Sequence, residues 1–176
     1  MSELKRETKE TSIRGALTRS GPVAVTTTVP FLDHMMTVLA RYAGVGLTIE
    51  ATGDLRHHII EDVAIVTGLL VREEFRPPIR RYGHAVVPMD DAVVECAFDL
   101  GGRPYYRGPL PSGLYDHWMR SFADHAQCTL HLIKRRGSDR HHLVEAGFKA
   151  LGVALAQAIV PAEAIASTKG NVRISR

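Results

Sequence analysis

The sequence predicts an α+β fold in which one half, a small sheet with two helices, occurs twice in tandem. Two short motifs carry this prediction. Asp-His-x-Met begins at Asp33 and again at Asp116, and Arg-His-His-x-x-Glu begins at Arg56 and again at Arg140. The offsets are 83 and 84 residues. Two motifs repeated in the same order at nearly one offset are hard to obtain by chance.

The first half contains four predicted elements. The β-branched run 23–29 predicts a strand. Apolar residues at helical spacing predict a helix over 32–44, ending at a glycine. Residues 47–52 predict a second strand, and a second helix is predicted from 57 to about 71, with Asp54 as its candidate cap.

The second half repeats this order. Strands are predicted over 92–98 and 129–134, and helices over 114–126 and 141–159. The boundary lies near residues 76–78, where two prolines interrupt the second helix. We therefore expect a single domain made of repeats 1–78 and 79–160, packed helix to helix around a shared core, with a tail over 161–176.

Composition excludes several function classes. With 45% hydrophobic and 23% charged residues, the chain is typical of a globular protein. No apolar run approaches a membrane span and the N-terminal residues are charged, so we expect a cytoplasmic protein without a membrane partner. The net charge is only +3 and the basic residues are scattered, which argues against nucleic-acid binding. An anionic small molecule bound by a few arginines accounts for this charge.

The repeated HHxxE motif is typical of metal binding. On a helix, Glu61 can share a face with His57 or His58, whereas the two adjacent histidines point about 100° apart. Such a pair is suited to two different ions. The second copy, which has the same property, consists of His141, His142 and Glu145.

The Asp-His motifs add one further histidine to each half, His34 and His117. Three imidazoles and one carboxylate for each ion would leave coordination positions open. Nitrogen and oxygen donors without thiolate suit Mn, Fe, Co, Ni or Zn. A lone histidine is usually structural, so the duplication carries the prediction. Asp33 and Asp116 could either orient a ligand histidine or cap a helix.

Seven motifs together resemble the imidazoleglycerol-phosphate dehydratase family. They are FLDHM (31–35), HHxxED (57–62), RYGH (81–84), DLxGRPY (99–105), TLH (129–131), HHxxEAxFK (141–149) and STKG (167–170). With TKET near the start, they run in the order of the family from residue 8 to residue 170. The chain departs from the family at Arg56 and Arg140, where an acidic or amide residue is usual, and at His125, where asparagine is usual.

The resemblance implies dehydration of imidazoleglycerol phosphate to imidazole-acetol phosphate, a step of histidine biosynthesis. It implies two Mn²⁺ ions per active site, with other divalent transition metals as alternatives. It also implies a helical bundle between two sheets, and a homo-oligomer of trimers forming a 24-subunit shell with active sites at subunit contacts. One ion would take His34, His58, Glu61 and His141, and the other His57, His117, His142 and Glu145.

The same resemblance implies the residues that contact the phosphorylated imidazole substrate. Arginine suits phosphate because its planar fork donates two parallel hydrogen bonds. Glu10 is the first choice as catalytic acid or base, because metal binding would occupy the lone pairs of the two motif glutamates. The expected substrate-binding residues are Glu10, Arg81, Arg103, Lys149, Ser167, Thr168 and Lys169.

Two other functions remain open from the residues alone. A dinuclear metallohydrolase acting on a phosphorylated small molecule could use the same ligands to generate hydroxide. A non-catalytic metal-binding shell could also be built this way, although ferritin-like shells use mostly carboxylates. Separate assays of dehydratase and phosphatase activity would distinguish the metallohydrolase from a dehydratase.

Overall fold

Two four-stranded sheets enclose four helices in the computed structural model, which describes residues 1–108 and 110–164. Helices α1 and α2 pack on the first sheet, and α3 and α4 on the second. Helix α2 pairs with α3, and α1 with α4, so the helices form the shared core. The first half comprises β1 (Ser2–Glu7), β2 (Thr11–Thr18), β3 (Val23–Thr26), α1 (Pro30–Ala43), β4 (Gly46–Gly53) and α2 (Arg56–Glu74). The second comprises β5 (Tyr82–Met89), β6 (Ala92–Leu100), β7 (Tyr105–Arg107), α3 (Gly113–Ala126), β8 (Cys128–Arg136) and α4 (Arg140–Ala158).

The two sheets have the same topology. Their strand orders are β1-β2-β4-β3 and β5-β6-β8-β7. In each sheet the last pair is parallel and the other pairs are antiparallel. The predicted α+β fold with two similar halves is confirmed.

Four strands, β1, β2, β5 and β7, were not predicted. Strand β1 is an edge strand whose inward residues are only half-buried, so charged residues occupy most of it. Strand β2 buries Ile13 and Leu17 but has Gly15 between them. Strand β5 contains Gly83 and Pro88. Glycine, proline and charged residues are depleted in strands, so the pattern over these segments is weak.

Close contact between paired helices depends on one glycine in each repeat. A Cβ atom at Gly68 in α2 would lie 2.7 Å from the Phe122 carbonyl oxygen of α3. A Cβ atom at Gly152 in α4, 84 residues later, would lie 2.9 Å from the Leu39 carbonyl oxygen of α1. Because the neighbours are backbone atoms, neither contact can relax by a rotamer change. Both helix pairs therefore meet in the same way.

Three aspartates that the sequence suggested as helix caps or as partners of histidines have other contacts. Helix α2 begins after Leu55 without a side-chain cap, so the prediction that Asp54 caps it was wrong. Asp33 accepts a hydrogen bond from the Thr27 amide at 2.7 Å. Asp116 accepts hydrogen bonds from the Tyr106 hydroxyl and the Leu110 amide, at 2.6 and 3.1 Å. Asp33 and Asp116 therefore tie the preceding segments to α1 and α3 rather than orient histidines.

Aromatic side chains fill the centre of the helical layer. Trp118 stacks on Phe122 with ring centroids 5.3 Å apart, and Phe148 of α4 lies 4.7 Å from Trp118. All three are fully buried. In the part of the chain that is described, no helix is both long and apolar enough to cross a membrane.

Candidate metal centre and active site

The first cluster of potential metal ligands joins the N-terminal turns of α2 and α3. His57 and Glu61 lie one turn apart on α2, with His57 Nε2 3.6 Å from Glu61 Oε2. His117 of α3 points to the same carboxylate, with Nε2 3.3 Å from Glu61 Oε1. The two imidazole rings are stacked 5.5 Å apart. The ligand atoms lie within 4.8 Å of one another, close enough to bind one ion.

The second cluster is its repeat, at the N-terminal turns of α4 and α1. His141 Nε2 lies 3.1 Å from Glu145 Oε2, and His34 Nε2 lies 3.3 Å from the same oxygen. These atoms also lie within 4.8 Å of one another. Each cluster therefore combines a His-x-x-x-Glu pair from one repeat with the Asp-His histidine of the other.

This grouping differs from the sets that the family resemblance implied in its glutamates and in the second histidine of each pair. His34 lies with His141, and His57 with His117, as expected. Within one chain, however, Glu145 lies beside His34 and His141, whereas the resemblance put Glu61 with them. The reason is that a residue four positions along a helix shares the face of the first histidine of each pair.

The second histidine of each pair turns away from both clusters. His58 is nearly perpendicular to His57, and its Nδ1 lies 2.8 Å from Asp54 Oδ1. His142 is nearly perpendicular to His141, and its Nδ1 lies 2.8 Å from Asp91 Oδ1. Each cluster thus contains two of the four ligands expected for one ion, together with the glutamate expected for the other, and the second histidine of each pair lies outside it.

The glutamates of the two clusters have different surroundings. The side chain of Glu145 is only 7% exposed, and Lys149 Nζ lies 3.0 Å away. Burial favours a higher pKa for Glu145, but the hydrogen bonds from Lys149 and His34 outweigh it and lower the pKa. The carboxylate is therefore ionised at neutral pH, as a metal ligand must be. Glu61 is 36% exposed. The residue that corresponds to Lys149 in the first repeat is Ile65, which carries no charge to pair with Glu61.

The donor atoms fit a divalent transition metal. Each cluster offers two imidazole nitrogens and a carboxylate, the ligand types that such metals share. His117 Nε2 is buried and has no hydrogen bond within the described residues. An unsatisfied buried nitrogen is costly, and coordination of a cation would satisfy it.

Four of the expected substrate-binding residues lie in the described part of the chain. Glu10, between β1 and β2, is 57% exposed, and its Oε2 lies 3.7 Å from His58 Nδ1.

Arg81 makes a two-point contact with Asp99, with Nε 2.5 Å from Oδ1 and one terminal nitrogen 3.0 Å from Oδ2. The carbonyl of Arg103 accepts a hydrogen bond from Thr129 at 2.9 Å. Lys149 contacts Glu145 as described above. Ser167, Thr168 and Lys169 lie outside the described residues.

Sequence reasoning missed the carboxylates that hold these side chains. Asp99 belongs to a family motif, but nothing in its spacing links it to Arg81, 18 residues earlier. Asp91 is 51 residues from His142 and lies outside both repeated motifs. Only antiparallel pairing of β6 with β5 and β8 brings these residues together.

The family model and the sequence relatives that match this chain all belong to one family. The family model for imidazoleglycerol-phosphate dehydratase matches residues 27–155. The imidazoleglycerol-phosphate dehydratase of Pyrobaculum aerophilum is 46% identical, with 94% of this chain and 96% of the relative covered. That of Chlorobium chlorochromatii is 43% identical, over 96% and 95% of the two chains.

Solved structures agree with the sequence comparison. The Pyrococcus furiosus enzyme superimposes with a TM-score of 0.89 at 36% identity, covering 96% of this chain and all of the other. The Staphylococcus aureus enzyme gives a TM-score of 0.81 at 31% identity, covering 91% and 98%. Identity above 40% over nearly the whole length, together with the shared fold, shows that the chain belongs to the imidazoleglycerol-phosphate dehydratase family.

Proposed function

We propose that this chain catalyses the metal-dependent dehydration of imidazoleglycerol phosphate to imidazole-acetol phosphate, a step of histidine biosynthesis. Family membership supports the reaction and the substrate. The observation that carries the metal dependence is the pair of equivalent clusters, His57, Glu61 and His117, and His34, His141 and Glu145. Isolated histidine clusters occur by chance, but the same three residue types at equivalent positions of two repeats favour a function.

Two Mn²⁺ ions per active site are the proposed cofactors, and other divalent transition metals fit the same donors. The substrate loses a proton from a carbon that has no neighbouring carbonyl, so only its imidazole ring can take up the developing charge. Divalent cations at the clusters would stabilise negative charge on that ring, which favours loss of the adjacent hydroxyl.

The proposed roles of the remaining residues follow from their charge and position. Glu10 is an exposed carboxylate beside His58 and so can reach a molecule bound at the metal site, where it would transfer a proton. Arg81 and Arg103 would bind the phosphate. The contact with Asp99 fixes the direction of the Arg81 guanidinium, so little side-chain entropy remains to be lost on binding. Lys169, with Ser167 and Thr168, would add donors from the C-terminal segment.

Assembly is the second part of the proposal. Three side chains from one chain leave each ion short of its fourth protein ligand, while His58 and His142 turn away from the clusters with 26% and 29% of their side chains exposed. We propose that each of these histidines completes a site of a second copy, in a homo-oligomer of 24 subunits built from trimers. A cytoplasmic location is part of the same proposal.

One assay separates the proposed reaction from the metallohydrolase. The chain, loaded with Mn²⁺, is incubated with imidazoleglycerol phosphate, and both imidazole-acetol phosphate and inorganic phosphate are measured. We expect the ketone and no phosphate release. Release of phosphate would favour a hydrolase, and the absence of either product would favour a non-catalytic metal-binding shell.

A further inference from the structure

Two aspartates contact the histidines that stand outside the clusters. We infer that Asp54 and Asp91 are positioning residues, which orient His58 and His142 and hold each ring in the tautomer that presents Nε2 to a metal ion. The inference rests on the metal sites of the proposed function, and it goes beyond them because it assigns roles to residues that are not ligands.

Asp54 is itself held in place before it contacts His58. Its Oδ1 accepts a hydrogen bond from the Leu55 amide at 2.6 Å and lies 2.8 Å from His58 Nδ1. Its own amide donates to the Glu10 carbonyl at 3.0 Å. A second carboxylate near this ring belongs to Glu10, whose Oε2 lies 3.7 Å from the same nitrogen. The carboxylate of Asp54 therefore has a fixed position from which to orient the ring.

Asp91 is held just as firmly, from the turn between β5 and β6. Its Oδ2 accepts hydrogen bonds from the amides of Ser138 and Asp139, at 2.7 and 3.2 Å. Its Oδ1 lies 2.8 Å from His142 Nδ1. Asp90 lies on the other side of the ring, with Oδ2 3.4 Å from Nε2, but its side chain is 72% exposed and makes no second contact among the described residues.

The duplication gives an independent reason to regard both contacts as functional. His58 and His142 are equivalent positions of the two repeats, but the residue that corresponds to Asp54 is Ser138. The second repeat therefore lacks the carboxylate at that position, and Asp91 supplies one from a different segment. The same nitrogen receives the same kind of partner at the same distance by two routes, which a chance surface contact does not explain.

The chemistry of the ring connects this contact with metal binding. A histidine whose Nδ1–H donates to a carboxylate is left with its lone pair on Nε2, and the carboxylate also makes that nitrogen a better donor. The cluster histidines all present Nε2 to the shared carboxylates, as the distances for His34, His57, His117 and His141 show. His58 and His142 would then bind through the same atom.

The test measures Mn²⁺ affinity by competition with a chelator, on the full-length protein and its variants. We expect Asp54→Ala to weaken one of the two sites by about 10- to 100-fold, the usual effect of removing a partner of a ligand histidine. Asp54→Asn keeps an amide oxygen where Oδ1 accepts both hydrogen bonds, so most of the affinity should return. Asp91→Ala should weaken the site that uses His142 to a similar extent.

Asp139→Ala is the matched control, because Asp139 caps α4 through the His142 amide and its carboxylate is 3.9 Å from the ring nitrogen. It should lower the melting temperature and leave the Mn²⁺ dissociation constants unchanged. Wild-type affinity at both sites in both alanine variants would overturn the inference. Failure of the wild-type protein to bind Mn²⁺ tightly would overturn the metal dependence itself, and the inference with it, before any variant is compared.

Discussion

The proposed metal-binding role of His117 would come at a cost to the stability of the metal-free protein. Its Nε2 is buried without a hydrogen bond in the described residues, although Glu61 Oε1 lies 3.3 Å away. Leaving a buried polar atom unsatisfied costs about 1–3 kcal/mol. We therefore expect His117→Leu to unfold no more easily than the wild type in the metal-free state, while losing one of two Mn²⁺ ions and nearly all turnover.

His125→Ala is the control for that substitution, because His125 lies on the same helix and its Nδ1 is 2.8 Å from the Ser121 carbonyl. It should retain both ions. Thermal unfolding is measured on the two chelated variants, and metal content is measured after they are reloaded with Mn²⁺. A large loss of stability in metal-free His117→Leu would mean that His117 has a structural role.

Glu10 separates catalysis from metal binding. It is exposed and lies outside both clusters, with its Oε2 3.7 Å from His58 Nδ1. Glu10→Gln keeps the size of the side chain but removes its capacity to accept a proton as a carboxylate. We expect normal metal content and a loss of turnover of about 10²- to 10⁴-fold, the range of general acid–base catalysis.

Glu7→Gln is the matched control for Glu10, since Glu7 is an equally exposed carboxylate on β1 that pairs only with Lys5 among the described residues. Its steady-state rate should equal that of the wild type. Turnover of Glu10→Gln within a few-fold of the wild type would leave the proton transfer to another group, such as His84.

At the scale of single residues, the sequence could predict the candidate ligands but not the carboxylates that contact them. The HHxxE spacing and its repetition are local, so His57, Glu61 and their equivalents were recognisable. The sequence could not predict which histidine of each pair lies beside the glutamate, because residues three and four positions apart on a helix both share a face. Asp91 could not be predicted, because only the strand pairing places it beside α4.

Among the elements, the paired helices depend on glycine at their crossing points. Replacement of Gly68 by alanine gains about 1 kcal/mol of helix propensity. The added Cβ would lie 2.7 Å from the Phe122 carbonyl oxygen and 2.9 Å from the Ala126 nitrogen, both backbone atoms. Overpacking of this kind costs about 1–3 kcal/mol. We expect Gly68→Ala to lower the free energy of unfolding, measured by denaturant titration of the metal-free protein.

Gly147→Ala is the matched substitution in α4, because its nearest contact is the flexible end of Leu110, 3.1 Å away. Here the gain in helix propensity should outweigh the cost of overpacking, so the free energy of unfolding should stay the same or rise. Equal effects of the two substitutions would contradict the role assigned to close contact between α2 and α3.

The elements themselves were predictable to different degrees. All four helices were predicted within about three residues of their ends, because their apolar positions recur at helical spacing. Strands β3, β4, β6 and β8 were also predicted, since β-branched and other apolar residues recur along them. The edge strands β1, β5 and β7 were not, because charged residues, proline and short length weaken their pattern.

For the whole molecule, the proposed function connects metal binding with assembly. If His58 and His142 complete the sites of other copies, removal of the metal breaks contacts between subunits. Chelation should therefore reduce the particle size measured by light scattering, and added Mn²⁺ should restore it. Particles of unchanged size after complete chelation would show that assembly is independent of metal. Sequence resemblance could suggest the oligomer, but the described residues of one chain bring only three candidate ligands together in each cluster.

The proposed function is tested most directly by a titration of the chelated protein with Mn²⁺, with formation of imidazole-acetol phosphate followed at each addition. We expect no turnover without metal and a rate that rises until two Mn²⁺ are bound per chain, one for each cluster. Full turnover in the absence of divalent metal, or a plateau at one ion per chain, would contradict it.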